Sequence, residues 1–193
     1  MDRRINMASK KKTYENMGLP GDLNQDVVIE QMIRVNQAGE YGAKRIYEGQ
    51  LAVLKGTDSE ELVKEMLEHE LVHLEKFNKE MVDRGVRPTA LQPVWHFAGF
   101  MMGVGSALLG KSAAMACTVA VEEVIEEHYS QQVAELNDDE SELKAIINSC
   151  LSDEQQHRQI GLEQGAELAP GYEAITAAVK NASRLAIWLS KRI

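Results

Sequence analysis

Cysteine is nearly absent from this chain: Cys117 and Cys150 are the only two. Both fall on apolar sides of predicted helices, which excludes a disulfide framework and reads as buried free thiols in a reducing compartment. Aromatic residues are only 5% and proline occurs four times, while Glu, Leu, Ala, Lys and Met recur in long segments. That balance excludes a strand-rich fold and predicts an all-α one. Pro20, Pro88, Pro93 and Pro170 stand at segment boundaries, where a missing N–H interrupts no helix. Positive charge is short as well: 21 Lys and Arg face 30 Asp and Glu, the formal charge is −9, and no basic face survives inspection. A nucleic-acid partner is thereby excluded. There is no glycine-rich dinucleotide fingerprint. Nor is there an apolar signal segment in residues 1–22, which are polar and carry Arg3, Arg4 and Lys10 to Lys12. A flexible tail is expected there, followed by one domain over residues 23–193.

What the chain does have is helical periodicity. The pattern predicts helices over 23–55, 58–84, 112–136, 139–167 and 171–191, with an apolar element at 94–110. Gly56-Thr57-Asp58 and Asn137-Asp138-Asp139 are the short connections within two helix pairs, each offering capping-type residues to the helix that follows.

Two Glu-x-x-His quartets stand out, Glu70-Leu71-Val72-His73 and Glu154-Gln155-Gln156-His157. Each follows another glutamate at nearly the same distance: Glu40 lies 30 residues before Glu70, and Glu122 lies 32 before Glu154. One helix-pair design thus runs twice. Residues three apart share a helix face, so the Glu and His of a quartet reach one point. All six fall on apolar stripes: Ile33, Asn36, Glu40, Ala43, Tyr47; Met66, Glu70, His73, Phe77; Val119, Glu122, Ile125, Tyr129; and Ile147, Cys150, Glu154, His157. A single Glu-x-x-His is weak evidence, but four coincident stripes are costly without compensation, because each ionised carboxylate buried alone costs several kcal/mol. Two divalent cations remove that cost. Four carboxylates and two imidazoles are the known ligand set of di-iron and di-manganese sites inside four-helix bundles.

The remaining polar candidates are weaker. His69 precedes Glu70 and points about a hundred degrees away from it, so a surface or helix-flank role is expected. His96 has no acidic partner nearby in sequence and is read as interfacial. Tyr129 lies two turns beyond Glu122 on the same face and lines the site cavity; with His128 it is a possible catalytic residue beside the ligands.

Val94 to Gly110 passes without a charge but is short and glycine-rich, between Trp95 and Lys111. It is expected to lie in a membrane interface or to cover one end of the bundle, and not to span a bilayer. Residues 171–193 carry a stripe of Ile175, Val179, Ala182, Ala186, Leu189 and Ile193, with Trp188 beside it. Lys180, Arg184, Lys191 and Arg192 are available there for anionic headgroups, and the two elements together predict a membrane-surface protein.

Beyond the ligand pattern, several stretches carry a closer likeness. They are Ala38-Gly39-Glu40-Tyr41-Gly42-Ala43 with Arg45-Ile46-Tyr47, Ala98-Gly99-Phe100, Ala107-Leu108-Leu109-Gly110-Lys111, Met115 to Glu123, and Ala166-Glu167-Leu168-Ala169-Pro170. From about Ile33 to Ile193 the chain resembles the 5-demethoxyubiquinone hydroxylases (3-demethoxyubiquinol 3-hydroxylases) of ubiquinone biosynthesis, which are ferritin-like di-iron carboxylate proteins. The resemblance implies a ferritin-like four-helix bundle with an additional apolar interfacial helix and a C-terminal amphipathic helix. It also implies a monooxygenase that places oxygen from O2 on the ring of a polyprenylated demethoxyubiquinol. Two iron ions are implied, with Glu40 and His73 on one, Glu122 and His157 on the other, and Glu70 and Glu154 bridging. An external reductant, NADH among the options, would supply electrons. Implied partners are the quinol, a membrane surface, other ubiquinone-biosynthesis proteins and copies of itself in a small homo-oligomer. The implied location is peripheral, on the cytoplasmic face of a bacterial membrane or the matrix face of the mitochondrial inner membrane. The alternative is a ferritin-like ferroxidase or iron-storage protein with the same six ligands, which needs a cage-forming exterior and no lipid-facing segment. Three places depart from the family pattern: Asn36-Gln37 stand where an Asp-His pair is common, Glu127 where a second histidine is frequent, and Trp188 where tyrosine is.

Overall fold

The computed structural model describes residues 24–193, and within them the chain is helical throughout, with no strand. Six α-helices follow in order: α1 Gln25–Leu54, α2 Glu60–Arg84, α3 Gln92–Leu108, α4 Lys111–Glu135, α5 Ser141–Glu163 and α6 Tyr172–Ser190. The expected tail at 1–22 lies outside the described residues.

Local chemistry sets the ends. The Asn24 side chain accepts from the Asp26 amide at 3.2 Å, capping α1. Ser59 precedes α2 without a side-chain cap bond, and its own amide donates to Thr57 Oγ1 at 3.3 Å. Helix α2 stops at Gly85, whose φ of 67° is left-handed. The helix expected over 139–167 is shorter at both ends. Asp138–Glu140 forms a 3-10 turn, and Gly165, at φ 84°, ends the helical path and starts a second 3-10 turn over Ala166–Leu168.

Helices α1, α2, α4 and α5 form the bundle, and their apolar faces build two clusters. Ile33, Phe77, Ile125, Leu143 and Ile147 belong to one cluster. Leu54, Val63, Met66, Met115 and Val119 belong to the other. On α2 and α5 the quartets fall where one cluster gives way to the other. The polar centre is thus sealed between two apolar layers.

The apolar element is a helix, packed along the bundle on one side and exposed on the other. One face lies on α1 at backbone contact: a Cβ on Gly103 would collide with the Ile46 carbonyl, and one on Gly49 with the Phe100 carbonyl. The other face, with Val94, Phe97, Met101 and Leu108, is exposed. No helix among the described residues is long and apolar enough to cross a membrane. Helix α6 packs on α4, tied by Lys180 to Glu123 and by Arg184 to Glu127 at 3.1 Å. Those two cations, expected to be free for headgroups, are paired within the protein, and Lys191 and Arg192 remain.

Candidate metal centre

Each bundle helix delivers part of one cluster. Glu40 comes from α1, Glu70 and His73 from α2, Glu122 from α4, and Glu154 and His157 from α5. Every one of the six is at most 1% exposed. Ligand atoms of Glu40, Glu70, His73 and Glu154 lie within 4.8 Å of one another, as do those of Glu70, Glu122, Glu154 and His157. Glu70 and Glu154 belong to both groups.

Both imidazoles turn Nδ1 inward. His73 Nδ1 is 3.1 Å from Glu154 Oε1 and 3.5 Å from Glu40 Oε2, and His157 Nδ1 is 3.2 Å from Glu154 Oε2 and 3.3 Å from Glu70 Oε1. Their outer nitrogens are held by the opposite pair. His73 Nε2 meets Asp153 Oδ2 at 2.9 Å, and His157 Nε2 meets His69 Nδ1 at 3.0 Å, with the two rings stacked. His69 is half-buried on the flank of α2, the second of the two roles expected of it. A hundred degrees of rotation on α2 carries it off the Glu70 face and onto the side that α5 covers. A second exchange links the other helices: the Tyr47 hydroxyl on α1 donates to Glu122 Oε1 at 2.5 Å, and the Tyr129 hydroxyl on α4 donates to Glu40 Oε1.

Electrostatics show how strained this gathering of acids is. Desolvation, then the charges of Glu154 and Glu40, push the Glu70 carboxyl well above its usual range. Glu122 is raised by desolvation and by Glu154. Burial opposes a charge on His73, but the carboxylates of Glu154 and Glu40 outweigh it and lift the imidazole to about 11. Burial also opposes ionisation of Glu154, yet the hydrogen bond to His157 and the charge on His73 prevail and hold it at about 2. Glu40 Oε2, both oxygens of Glu70, Glu122 Oε2, Glu154 Oε1 and His73 Nδ1 are buried without a hydrogen-bond partner. The short His73 contacts bring charges together without hydrogen-bond alignment. So many orphaned acceptors in one place call for a bound group.

A cavity of about 140 Å³ adjoins the cluster between α1, α3, α4 and α6. Ala43, Ile46, Val121 and Ile125 make its wall apolar, and Tyr129 and His128 give it a polar side. Two lining residues, Ala98 and Ala182, are exposed, so the cavity opens between α3 and α6. Asn36 and Gln132 exchange two amide bonds of 2.8 Å, and Gln132 Nε2 is also 2.8 Å from His128 Nε2. That pairing accommodates asparagine at one of the positions where the sequence departs from the family pattern. Burial, then the nearby Lys191 charge, lowers His128 to about 4, so it is neutral near neutral pH. His96 lies 2.7 Å from the Tyr41 hydroxyl, away from the centre.

Sequence reasoning gave Tyr47, Asp153 and Cys150 no part in the site and set His69 outside it. For Tyr47, Asp153 and His69 a signal existed. Tyr47 and Tyr129 each stand seven residues after a cluster glutamate, and His69 and Asp153 each immediately precede a quartet. Cys150 needed the structure, which puts its thiol within 4.8 Å of ligand atoms of Glu40 and His73.

Six helices with a carboxylate and imidazole cluster at the heart of four of them define the ferritin-like class. Within it, residues 27–190 match the model of the family described as Ubiquinone biosynthesis protein COQ7, and the chain belongs to that family. It is 48% identical over 193 residues to a Rhodospirillum rubrum protein named 3-demethoxyubiquinol 3-hydroxylase, covering 100% of this chain and 91% of the relative. It is 52% identical over 169 residues to a Dictyostelium discoideum protein, covering 86% of the chain and 78% of the relative. A Homo sapiens protein is 44% identical over 184 residues, covering 93% and 85%. The last two are named NADPH-dependent 3-demethoxyubiquinone 3-hydroxylase, mitochondrial.

Proposed function

We propose that this hydroxylase of ubiquinone biosynthesis is a di-iron monooxygenase acting on the ring of a polyprenylated demethoxyubiquinol at a membrane surface. The observation that carries the reading is the set of buried, unpartnered carboxylate oxygens beside an apolar cavity that opens on an apolar face. Two divalent cations would offset the crowded charge, and oxygen and imidazole donors suit iron or manganese. Glu70 and Glu154, common to both groups, would be shared by the cations; Glu40 and His73 would complete one site, Glu122 and His157 the other. Bound iron supplies the activation of dioxygen once an external reductant, NADH or NADPH, has delivered electrons.

The chain's own residues do the rest. Asp153 and His69 fix the imidazole rings from outside, and Tyr47 and Tyr129 fix the rotamers of Glu122 and Glu40. The two apolar layers keep water from the centre. The quinol ring would enter the cavity beside Tyr129, and neutral His128 would offer a hydrogen bond to a ring oxygen. The isoprenoid tail leaves between Ala98 and Ala182. On α3, Phe97 is 70% exposed, Met101 62% and Leu108 70%; on α6, Leu185 and Trp188 are also exposed. Such an apolar face beside a cavity mouth suits a lipid surface. It also argues against a storage shell, whose exterior would meet water. The bilayer is then a bacterial membrane at its cytoplasmic face, or the mitochondrial inner membrane at its matrix face.

Iron-loaded protein supplied with reductant, a short-chain demethoxyubiquinol and isotopically heavy dioxygen is expected to release a hydroxylated quinol carrying heavy oxygen. Unlabelled or absent product from iron-loaded protein would overturn the reading. For the membrane part, Phe97→Asp with Met101→Glu is expected to abolish co-flotation with anionic phospholipid vesicles while the helical signal persists; unchanged flotation would rule the face out. Phe100 is a poorer probe, because Arg45 stacks over its ring at 4.8 Å.

A further inference from the structure

Cys150 lies one turn before Glu154 on α5 and is wholly buried. Its Sγ, a Glu40 oxygen and a His73 ring nitrogen lie within 4.8 Å of one another. Glu40 Oε2 and His73 Nδ1 are buried and without hydrogen-bond partners, so the thiol stands beside two residues with unpartnered polar atoms. Cys117 is buried as deeply but belongs to none of the ligand-distance groups.

We propose that Cys150 is an internal oxygen acceptor of the centre: when electrons and dioxygen arrive with no quinol in the cavity, one oxygen atom goes to Cys150 Sγ. The inference rests on the di-iron reading above. Its balance is that of hydroxylation. Cys150 S–H, O2, two electrons from a pyridine nucleotide or from the reduced metals, and two protons give Cys150 S–OH and water. The O–O bond breaks and an S–O bond forms; sulfur and the reductant each give up two electrons. Oxidants from solution have no comparable route. The thiol is sealed from water. Susceptibility at this position therefore comes from where the oxidant is made. A second oxygenation would give the sulfinic acid, which ordinary thiols do not reverse. Idle turnover would then silence the enzyme from its own centre, and bound quinol would protect it.

The test uses the full chain loaded with iron, reduced, freed of excess reductant, and exposed to isotopically heavy dioxygen with or without a short-chain demethoxyubiquinol. Peptide mass spectra with dimedone trapping of a sulfenic acid are read at both cysteines. The expected result is heavy oxygen or a dimedone adduct on Cys150 alone, lost when quinol is present and lost in Cys150→Ser. An unmodified Cys150 after repeated cycles of iron-loaded protein would overturn the proposal, as would equal modification of Cys117. Iron content and quinol hydroxylation are measured on the same preparation. Failure of the di-iron reading therefore shows as missing iron or product, and failure of this inference as an intact thiol in working protein.

Discussion

Helices α1 and α2 and helices α4 and α5 are two copies of one plan, and they differ where the plan touches the centre. Both copies place a tyrosine seven residues after the first glutamate, and each tyrosine serves the other copy's acid. Both place a polar residue immediately before the quartet, and each serves the other copy's imidazole. Here the copies part. Asp153 gives His73 a carboxylate partner, while His69 gives His157 only a second ring. Four residues before the quartet stand Met66 in the first copy and Cys150 in the second, and before the tyrosine stand Ile46 and His128. A repeated backbone thus carries an asymmetric site, with the anionic support, the thiol and the cavity-lining histidine all supplied by the second copy.

The bluntest way to break the comparison is to remove what the copies share. Glu70→Ala or Glu154→Ala deprives both candidate metal sites at once, so each is expected to abolish activity and lower bound iron sharply. Glu40→Ala or Glu122→Ala strips one site and should spare part of the iron. Metal analysis of purified protein decides it: two irons and full turnover in either shared-glutamate variant would contradict the sharing.

The supports sharpen it. A carboxylate that accepts from a ligand imidazole raises the ring's basicity and fixes its orientation, and losing one typically costs about 10–100-fold in metal affinity. Asp153→Asn is expected to fall in that range, and His69→Gln below it, because glutamine keeps a hydrogen-bonding group beside His157 and no carboxylate is lost. Cobalt titration of the metal-free variants measures both. Equal losses would mean that the charge on Asp153 contributes nothing beyond orientation.

How much of this was legible beforehand follows from the same comparison. The quartets and the stripes placed all six candidate ligands on core faces, because helix phase is local information. Helix ends held to within a few residues except at α5, where Gly165 imposed a left-handed turn inside an otherwise helical pattern. The cross-copy bonds were not read, since which faces of α2 and α5 meet depends on packing and not on either helix alone. For that reason the flank expected for His69 came without its partner, His157. Hydropathy does not separate the two sides of α3, so Phe100, whose ring lies under Arg45, reads in sequence like exposed Phe97; Gly99 and Gly103, which need close contact with α1, mark the buried side.

The subtlest difference between the copies is the exchange of Ile46 for His128, and its effect is on pH dependence. His128 is lowered from 6.5 to about 4 in the folded protein, by burial first and Lys191 second. Above pH 6.5 neither the folded nor the unfolded chain binds the proton, so the residue is silent there. Between 6.5 and about 4 the unfolded chain is protonated and the folded one is not, so stability falls as pH falls. His128→Gln removes this contribution and keeps a polar partner for Gln132. Urea unfolding is therefore expected to show a smaller loss on going from neutral pH to about pH 4 in the variant, by on the order of 1 kcal/mol after allowing for the residue's partial exposure. Identical losses in the two proteins would show that His128 takes up its proton without unfolding, and that the polar side of the cavity tolerates a cation.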